Sequence, residues 1–274
     1  MKNEIFARNL RVHSQLVEIL DEFRQRRVQA ILLKGAGLIE LFPEYMRERE
    51  MEDIDLLVKP GQLKQAKDAL VSLGYTKAEK DPYAFSRKGS PFSVDLCPGI
   101  WYLDSRENDS LWLNALNVMD SGAQPPALVL SPADFYIHIL AHASIHHKKF
   151  DSRWQKDLEL LKSKYPEELT PSALETKIKS YGIRLPLDFN ESAQSGTPYA
   201  GHVSRFWFLP LRKKILYSAE AFFPPSEFLA DRYGLRNTRE LALMRLIRPF
   251  LLVLHVWEFV VARFAYRYIK IAHK

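Results

Sequence analysis

The 274-residue chain is 47% hydrophobic and 26% charged, which excludes a disordered or fibrous protein and suffices for one large core or two modest ones. Cys97 is the single cysteine, which excludes an internal disulfide framework, and the opening MKNEIFARNLRVHSQLVEIL lacks the apolar run of a secretory signal, so a cytoplasmic setting is expected. The net charge of +6 favours anionic partners (nucleotides, nucleic acid or an acidic membrane face) without choosing among them.

Val12, Leu16, Ile19, Leu20 and Phe23 recur at helical spacing and predict a first helix, ended by the polar run 24–27. The aliphatic run 28–33 predicts a buried strand, and Lys34-Gly35-Ala36-Gly37 a tight turn into a short helix over 38–42 that Pro43 stops. Asp53-Ile54-Asp55-Leu56-Leu57-Val58 predicts a second strand. Beyond Pro60 a helix aligns Leu63, Ala66, Leu70 and Leu73 and ends at Gly74. Two more strands fit 83–87 and 92–97, with Lys88-Gly89-Ser90 as the hairpin turn between them. Past Pro125-Pro126 no convincing alternation of period two follows. Ser131-Pro132 and Thr170-Pro171 open helices, Gly182 closes the second, 192–198 reads as a loop, and Pro210, Pro224-Pro225 and Pro249 punctuate a region read as helical throughout. The expected architecture is α+β: a mixed core over 1–125 and a helical region over 126–274, two halves free to share one core.

On a strand, side chains at i and i+2 point to one face, so Asp53 and Asp55 lie side by side, about 6 to 7 Å apart, while Ile54, Leu56 and Val58 face the core. Like charges that close in a partly dry site raise one another's pKa, and a divalent cation keeps both ionised. On the strand 92–97 the same alternation leaves Ser93, Asp95 and Cys97 opposite the core face, so Asp95 joins the pair if the two strands are neighbours. Three carboxylates around metal ions suit phosphoryl or nucleotidyl transfer, and an all-oxygen site suits Mg2+, or Mn2+. The glycine-bearing turn supplies backbone N–H groups for a triphosphate and Lys34 a compact positive charge, making Lys34, Gly35 and Gly37 phosphate-side candidates.

At these residues the chain resembles the uncharacterised nucleotidyltransferase family of bacteria, a branch of the DNA polymerase β-like superfamily related to the nucleotidyltransferases of abortive-infection and toxin–antitoxin systems. The resemblance is carried by Leu32-Leu33-Lys34-Gly35, Tyr45, Arg49 four positions before Asp53-Ile54-Asp55, Gly74-Tyr75, and a third aspartate in Ser93-Val94-Asp95-Leu96. Arg153-Trp154, Asp157-Leu158, Phe223-Pro224-Pro225 and Arg232-Tyr233 look like helical-region features of the same family, so the resemblance spans roughly residues 28–250. It implies a polymerase β-like core of a small mixed sheet with flanking helices, followed by a mainly helical, acceptor-side region. It also implies metal binding by Asp53, Asp55 and Asp95, and nucleoside triphosphate binding by Lys34, Gly35, Ala36, Gly37 and Arg49. Two departures stand out. Gly35-Ala36 replaces the common Gly-Gly or Gly-Ser, which removes one phosphate ligand, and Cys97 stands where relatives often have histidine.

Several residues carry two readings. Lys34 serves the phosphates or is a strand-end lysine in water; Arg49 steadies the triphosphate or pairs with Glu48, Glu50 or Glu52. His138, His142 and His146 fall at i, i+4 and i+8 of one predicted helix. No cysteine or well-placed acid completes a zinc set there, so the row reads as packing or as a cleft edge. Asp157 is a first-turn acid of its helix or a cleft residue. The run 249–271 is apolar but interrupted by His255, Glu258, Arg263, Arg267 and Lys270, too often for a transmembrane span; it is a core helix or a basic amphipathic helix giving peripheral membrane contact through 249–274. Neither a serine-protease nucleophile nor the His-Arg-Asp and Asp-Phe-Gly signatures of protein kinases occur.

The expected function is Mg-dependent transfer of a nucleoside monophosphate from a triphosphate, with release of pyrophosphate, to an acceptor that no motif names: a protein, a tRNA, a metabolite or a sugar phosphate. The alternative is a non-catalytic nucleotide-binding or interaction module of the same fold.

Overall fold

The computed structural model describes residues 2–79, 81–118, 127–147, 152–185 and 205–254, with the backbone alone at 146–147. A long first helix, α1 (Lys2–Gln25), buries Val12, Leu16, Ile19, Leu20 and Phe23 on one face, as their spacing predicts. It ends where Arg27 takes a left-handed conformation and the Val28 N–H returns to the Phe23 carbonyl. Strand β1 (Ala30–Leu32) follows, buried throughout, and runs directly into helix α2 (Lys34–Leu41). That helix starts four residues earlier than expected from the sequence: Gly35, Ala36 and Gly37 form its first turn rather than a separate loop.

After a 3-10 turn at Pro43–Arg47 come β2 (Asp53–Val58), α3 (Leu63–Ser72), β3 (Thr76–Lys77), β4 (Ala84–Ser86) and β5 (Ser93–Cys97). Then follow α4 (Ser105–Asn114), held by a capping box between Asp104 and Glu107, β6 (Leu116–Asn117) and β7 (Leu128–Val129). All seven strands form one mixed sheet in the order β3-β4-β5-β2-β1-β7-β6. The central pair, β2 and β5, is parallel; β1 lies antiparallel to β2 and parallel to β7. Gly89, in the β4–β5 connection, has the positive φ that the hairpin reading of Lys88-Gly89-Ser90 requires.

The region after residue 125 is not helical throughout, because β7 belongs to the sheet and pairs with β1. Two residues are too few to display a period of two. Helix α5 (Pro132–Ala141) is buried on every side from Asp134 onward and lies across α2, where Phe135 meets Gly37. Helices α6 (Ser152–Lys164) and α7 (Pro171–Ser180) pack against α5. Thr170 caps α7 and Gly182 follows it at positive φ, as predicted. The Tyr181 hydroxyl donates to Asp134 at the start of α5, and Lys177 pairs with the same carboxylate at 3.2 Å.

Helix α8 (Leu211–Phe222) is tied down by Lys213, which donates to the Tyr102 and Tyr181 carbonyls and to Glu107. Helix α9 (Ser226–Tyr233) is held to α3 and β3 through Asp231, which accepts from Lys67 at 2.7 Å and Lys77 at 3.1 Å. A further helical stretch covers 238–254. No helix among the described residues is long and apolar enough to cross a membrane. The expected loop at 192–198, and 255–274 of the apolar C-terminal run, lie outside the described residues.

Candidate active site

The parallel register of β2 and β5 sets Asp55 opposite Asp95 and Asp53 opposite Ser93. Because the side-chain period of a strand is two, all three acids leave the same face of the sheet. One carboxylate oxygen from each of Asp53, Asp55 and Asp95 can be chosen so that all lie within 4.8 Å of one another. Among the described residues this is the one group of three metal-ligating side chains. Val94 and Leu96 point the other way into the core, the alternation read from the sequence, whereas β2 is covered on both faces and Leu57 is buried too.

The β1–β2 register pairs Leu32 with Leu56, and one step on the Leu33 N–H donates to the Asp55 carbonyl at 3.1 Å. Helix α2 therefore begins beside the carboxylates. Leu33, its N-cap residue, makes no side-chain cap, so the Gly35 and Ala36 N–H groups face the acid end of the site without a side-chain acceptor, while the Gly37 N–H donates to the Leu33 carbonyl at 3.3 Å. Lys34 takes a left-handed conformation at this junction, with φ 46°, and its Nζ donates to Asp55 Oδ1 at 2.6 Å. Lys34 is thus not a strand-end lysine in water. Gly35 and Gly37 have a packing reason for lacking a side chain. A Cβ on Gly35 would collide with the Met51 thioether, and one on Gly37 would lie 2.8 Å from the Leu32 carbonyl and 2.9 Å from the Phe135 ring.

Electrostatics follow from this crowding. Burial raises the Asp55 pKa, with Asp53 adding to the rise and Lys34 opposing it. Asp95 is pushed up to about 6 by burial and by the charges of Asp55 and Asp53. Burial disfavours the Lys34 ammonium, yet Asp55 and Asp53 outweigh it and hold the lysine protonated. Three carboxylates against one ammonium leave two negative charges in excess, the deficit one divalent cation would fill. The donor set fits such an ion: oxygen only, convergent, and short of positive charge. On the same face, the half-buried Cys97 thiol is pushed up to about 12, first by burial and then by Asp55, and stays neutral.

Arg49 does not pair with the side chains of Glu48, Glu50 or Glu52, which bond Lys2, Arg8 and Arg153. Its Nε donates to both oxygens of Asp157, at 2.9 and 3.1 Å, and Nη1 to the Glu50 carbonyl. Tyr45 donates its hydroxyl to the same carboxylate at 3.1 Å, and Asn9 binds the Arg49 and Met46 carbonyls from α1. Arg49 Nη2 remains directed at Gly35, where a Cβ would lie 3.7 Å from it. Asp157 lies in the second turn of α6, so it is no first-turn acid; burial raises its pKa against the pull of Arg49. Sequence reasoning missed Tyr45 and Asn9 as supports of this arginine, and nothing in their local sequence signals the role.

The histidine row is not a feature of one α-helix. Helix α5 stops at Ala141 and a π-helical turn, His142–His147, breaks the i, i+4, i+8 alignment. The His138 ring lies 6.4 Å from that of His142, which meets Trp154 edge-on at 5.8 Å; the His146 side chain lies outside the described residues. His138 is buried and close enough to Lys34 for that charge to act on it. Burial first, and Lys34 second, push its pKa down to about 3, so the imidazole is neutral.

The sequence model of the uncharacterised nucleotidyltransferase family matches residues 2–190. No curated protein matches the chain.

Proposed function

Because the chain belongs to the uncharacterised nucleotidyltransferase family, a family of nucleotidyl transfer, we propose that it moves a nucleoside monophosphate from a nucleoside triphosphate to an acceptor, releasing pyrophosphate. The observation that carries this reading is the convergence of Asp53, Asp55 and Asp95 within 4.8 Å beside the first turn of α2. These three residues would hold Mg2+ or Mn2+, which supplies charge neutralisation at the phosphate oxygens of the attacked and leaving groups. Lys34 gives its ammonium to the phosphates, the Gly35 and Ala36 N–H groups cradle them while the Gly37 N–H is taken by the Leu33 carbonyl, and Arg49, anchored by Asp157, presents Nη2 beside Gly35. Asp95, the acid whose pKa rises to about 6, is suited to take the proton of an acceptor hydroxyl.

Residues 1–125 together with β7 supply this core, and the helical region beyond β7 stands on the acceptor side, with His138 and His142 at its edge of the cleft. The setting is the cytoplasm. The acceptor is a protein hydroxyl, a tRNA end, a metabolite or a sugar phosphate. Incubation with each α-labelled triphosphate and Mg2+ or Mn2+ tests the proposal: label should pass to an acceptor with wild type and not with Asp53→Ala/Asp55→Ala. Equal transfer by both proteins removes these residues from the mechanism.

A second reading is favoured by the Lys34–Asp55 ion pair, which already occupies one oxygen of the trio, and by Ala36 in place of a hydroxyl or glycine. In it the chain is a nucleotide-binding or interaction module without turnover. Calorimetry separates the two, since triphosphate binding without pyrophosphate release supports the module.

A further inference from the structure

We propose that the outward face of the helical stretch 238–254 is a docking surface for an anionic lipid bilayer. Leu243, Leu246, Ile247, Phe250, Val253 and Leu254 are all exposed, Phe250 at 72%. Their spacing of three and four places them on one face of the helix. The opposite face is the one turned to the protein. Arg248 is buried there, donating to the Ala221 carbonyl at 2.9 Å and to the Tyr233 hydroxyl at 2.7 Å, and Arg245 donates to Ser226. A helix that holds Arg248 inward and its leucines outward, with the exposed Arg239 on the leucine face, leaves an apolar stripe uncovered among the described residues, and a stripe of that length calls for an occupant.

Charge selects the occupant. Residues 236–274 contain eight Lys and Arg against two Glu, so the chain's entire excess of +6 resides in this one segment. A second copy laid on the stripe would set like charge against like. An anionic lipid surface matches the apolar stripe and its basic surroundings together. The sequence that continues the segment has the same chemistry: Trp257, Tyr266 and Tyr268 are interfacial residue types, interleaved with Arg263, Arg267 and Lys270. Glu258, Arg263, Arg267 and Lys270 interrupt the run too often for a transmembrane span, so the proposal lays the stretch on the surface. This assignment does not depend on nucleotidyl transfer.

Vesicle flotation of the full chain tests it, using phosphatidylcholine vesicles with and without phosphatidylglycerol, at low and high salt. Wild type should float with the anionic vesicles and be released by high salt or by removal of the phosphatidylglycerol. Leu246→Glu/Phe250→Glu, at two exposed positions, should lower the bound fraction by more than about tenfold while leaving circular dichroism and the melting temperature unchanged. The proposal is overturned if wild type stays unbound with anionic vesicles, or if wild type and variant float equally. A lipid-free dimer that the variant converts to monomer also overturns it, and assigns the stripe to a second copy.

Discussion

Arg49 and Asp157 stand 108 residues apart in the chain and meet in a buried ion pair, Nε to Oδ1 at 2.9 Å, that fastens the segment before β2 to α6. The pair serves two levels at once, closing the packing between sheet and helices and fixing where Nη2 points. Removing one partner strands a buried charge, which costs about 3 to 5 kcal/mol, whereas replacing both by apolar groups costs far less. Asp157→Leu and Arg49→Met should each lower the denaturant midpoint strongly, and the double variant should be more stable than the sum of the two losses predicts. Strict additivity would show that the two residues do not act as a pair.

The carboxylate trio predicts a response to cations. Without a divalent ion, Asp53, Asp55 and Asp95 repel one another with Lys34 as the positive charge beside them. A cation at a hundredfold its dissociation constant stabilises by about 2.7 kcal/mol, a rise of several degrees for a protein of this size. Mg2+ or Mn2+ should therefore raise the melting temperature of chelator-treated wild type. Asp53→Asn/Asp55→Asn should be at least as stable as wild type in chelator and show little or no rise on cation addition. A folded wild type that neither ion moves would take the metal out of the reading.

A pH dependence arises at the contact between α1 and α2, where His13 Nδ1 lies 2.7 Å from Glu40. The hydrogen bond to Glu40 raises the His13 pKa above its ordinary value of 6.5, against the opposing effect of burial. A raised folded-state pKa means that the contribution is fully present below about pH 6.5 and is lost as pH rises through the folded-state value. The partly exposed ring is screened, so the loss should be on the order of 1 kcal/mol. Chemical denaturation of wild type and Glu40→Gln at pH 6 and pH 9 checks this: the gap between them should shrink at the higher pH. A gap that widens there reverses the sign.

What was legible in the sequence was what rigid backbone periodicity dictates. Asp53 and Asp55 share a face because strands repeat every two residues, and Asp95 joins them because its strand is the parallel neighbour, a pairing the spacing suggested and the register supplies. The α1 core stripe was legible for the same reason. The partner of Arg49 was not, since a contact across 108 residues leaves no local trace. The glycines stood out in the sequence, but their packing reason lies in Met51 and Phe135, which only the tertiary structure brings to them. A two-residue strand such as β7 and the π turn after Ala141 are too small a departure from helical text to be read in advance.

His138 offers a test of a buried polar group. Neither ring nitrogen has a hydrogen-bond partner among the described residues, and an unsatisfied buried polar group costs about 1 to 3 kcal/mol. His138→Leu should therefore be neutral or stabilising by up to about 2 kcal/mol in thermal denaturation. A loss of more than about 1 kcal/mol would mean that the imidazole is satisfied in solution and contributes to the fold.

Gly37 sets two effects against each other. Alanine is the better helix former by about 1 kcal/mol, so on propensity alone Gly37→Ala in α2 would stabilise. The added methyl, however, would lie 2.8 Å from the Leu32 carbonyl, a backbone atom held by the pairing of β1 to β2, and 2.9 Å from Phe135. Neither can withdraw cheaply, and overpacking of this kind costs about 1 to 3 kcal/mol, enough to match or exceed the propensity gain. At Gly35 the obstruction is the end of the Met51 side chain, which has rotamers to spare. Gly37→Ala should thus lower the unfolding free energy more than Gly35→Ala. Because α2 delivers Lys34 to Asp55, Gly37→Ala should also weaken triphosphate binding measured by calorimetry. Equal stability of the two variants would mean that α2 shifts as a rigid body instead of straining at the β1 junction.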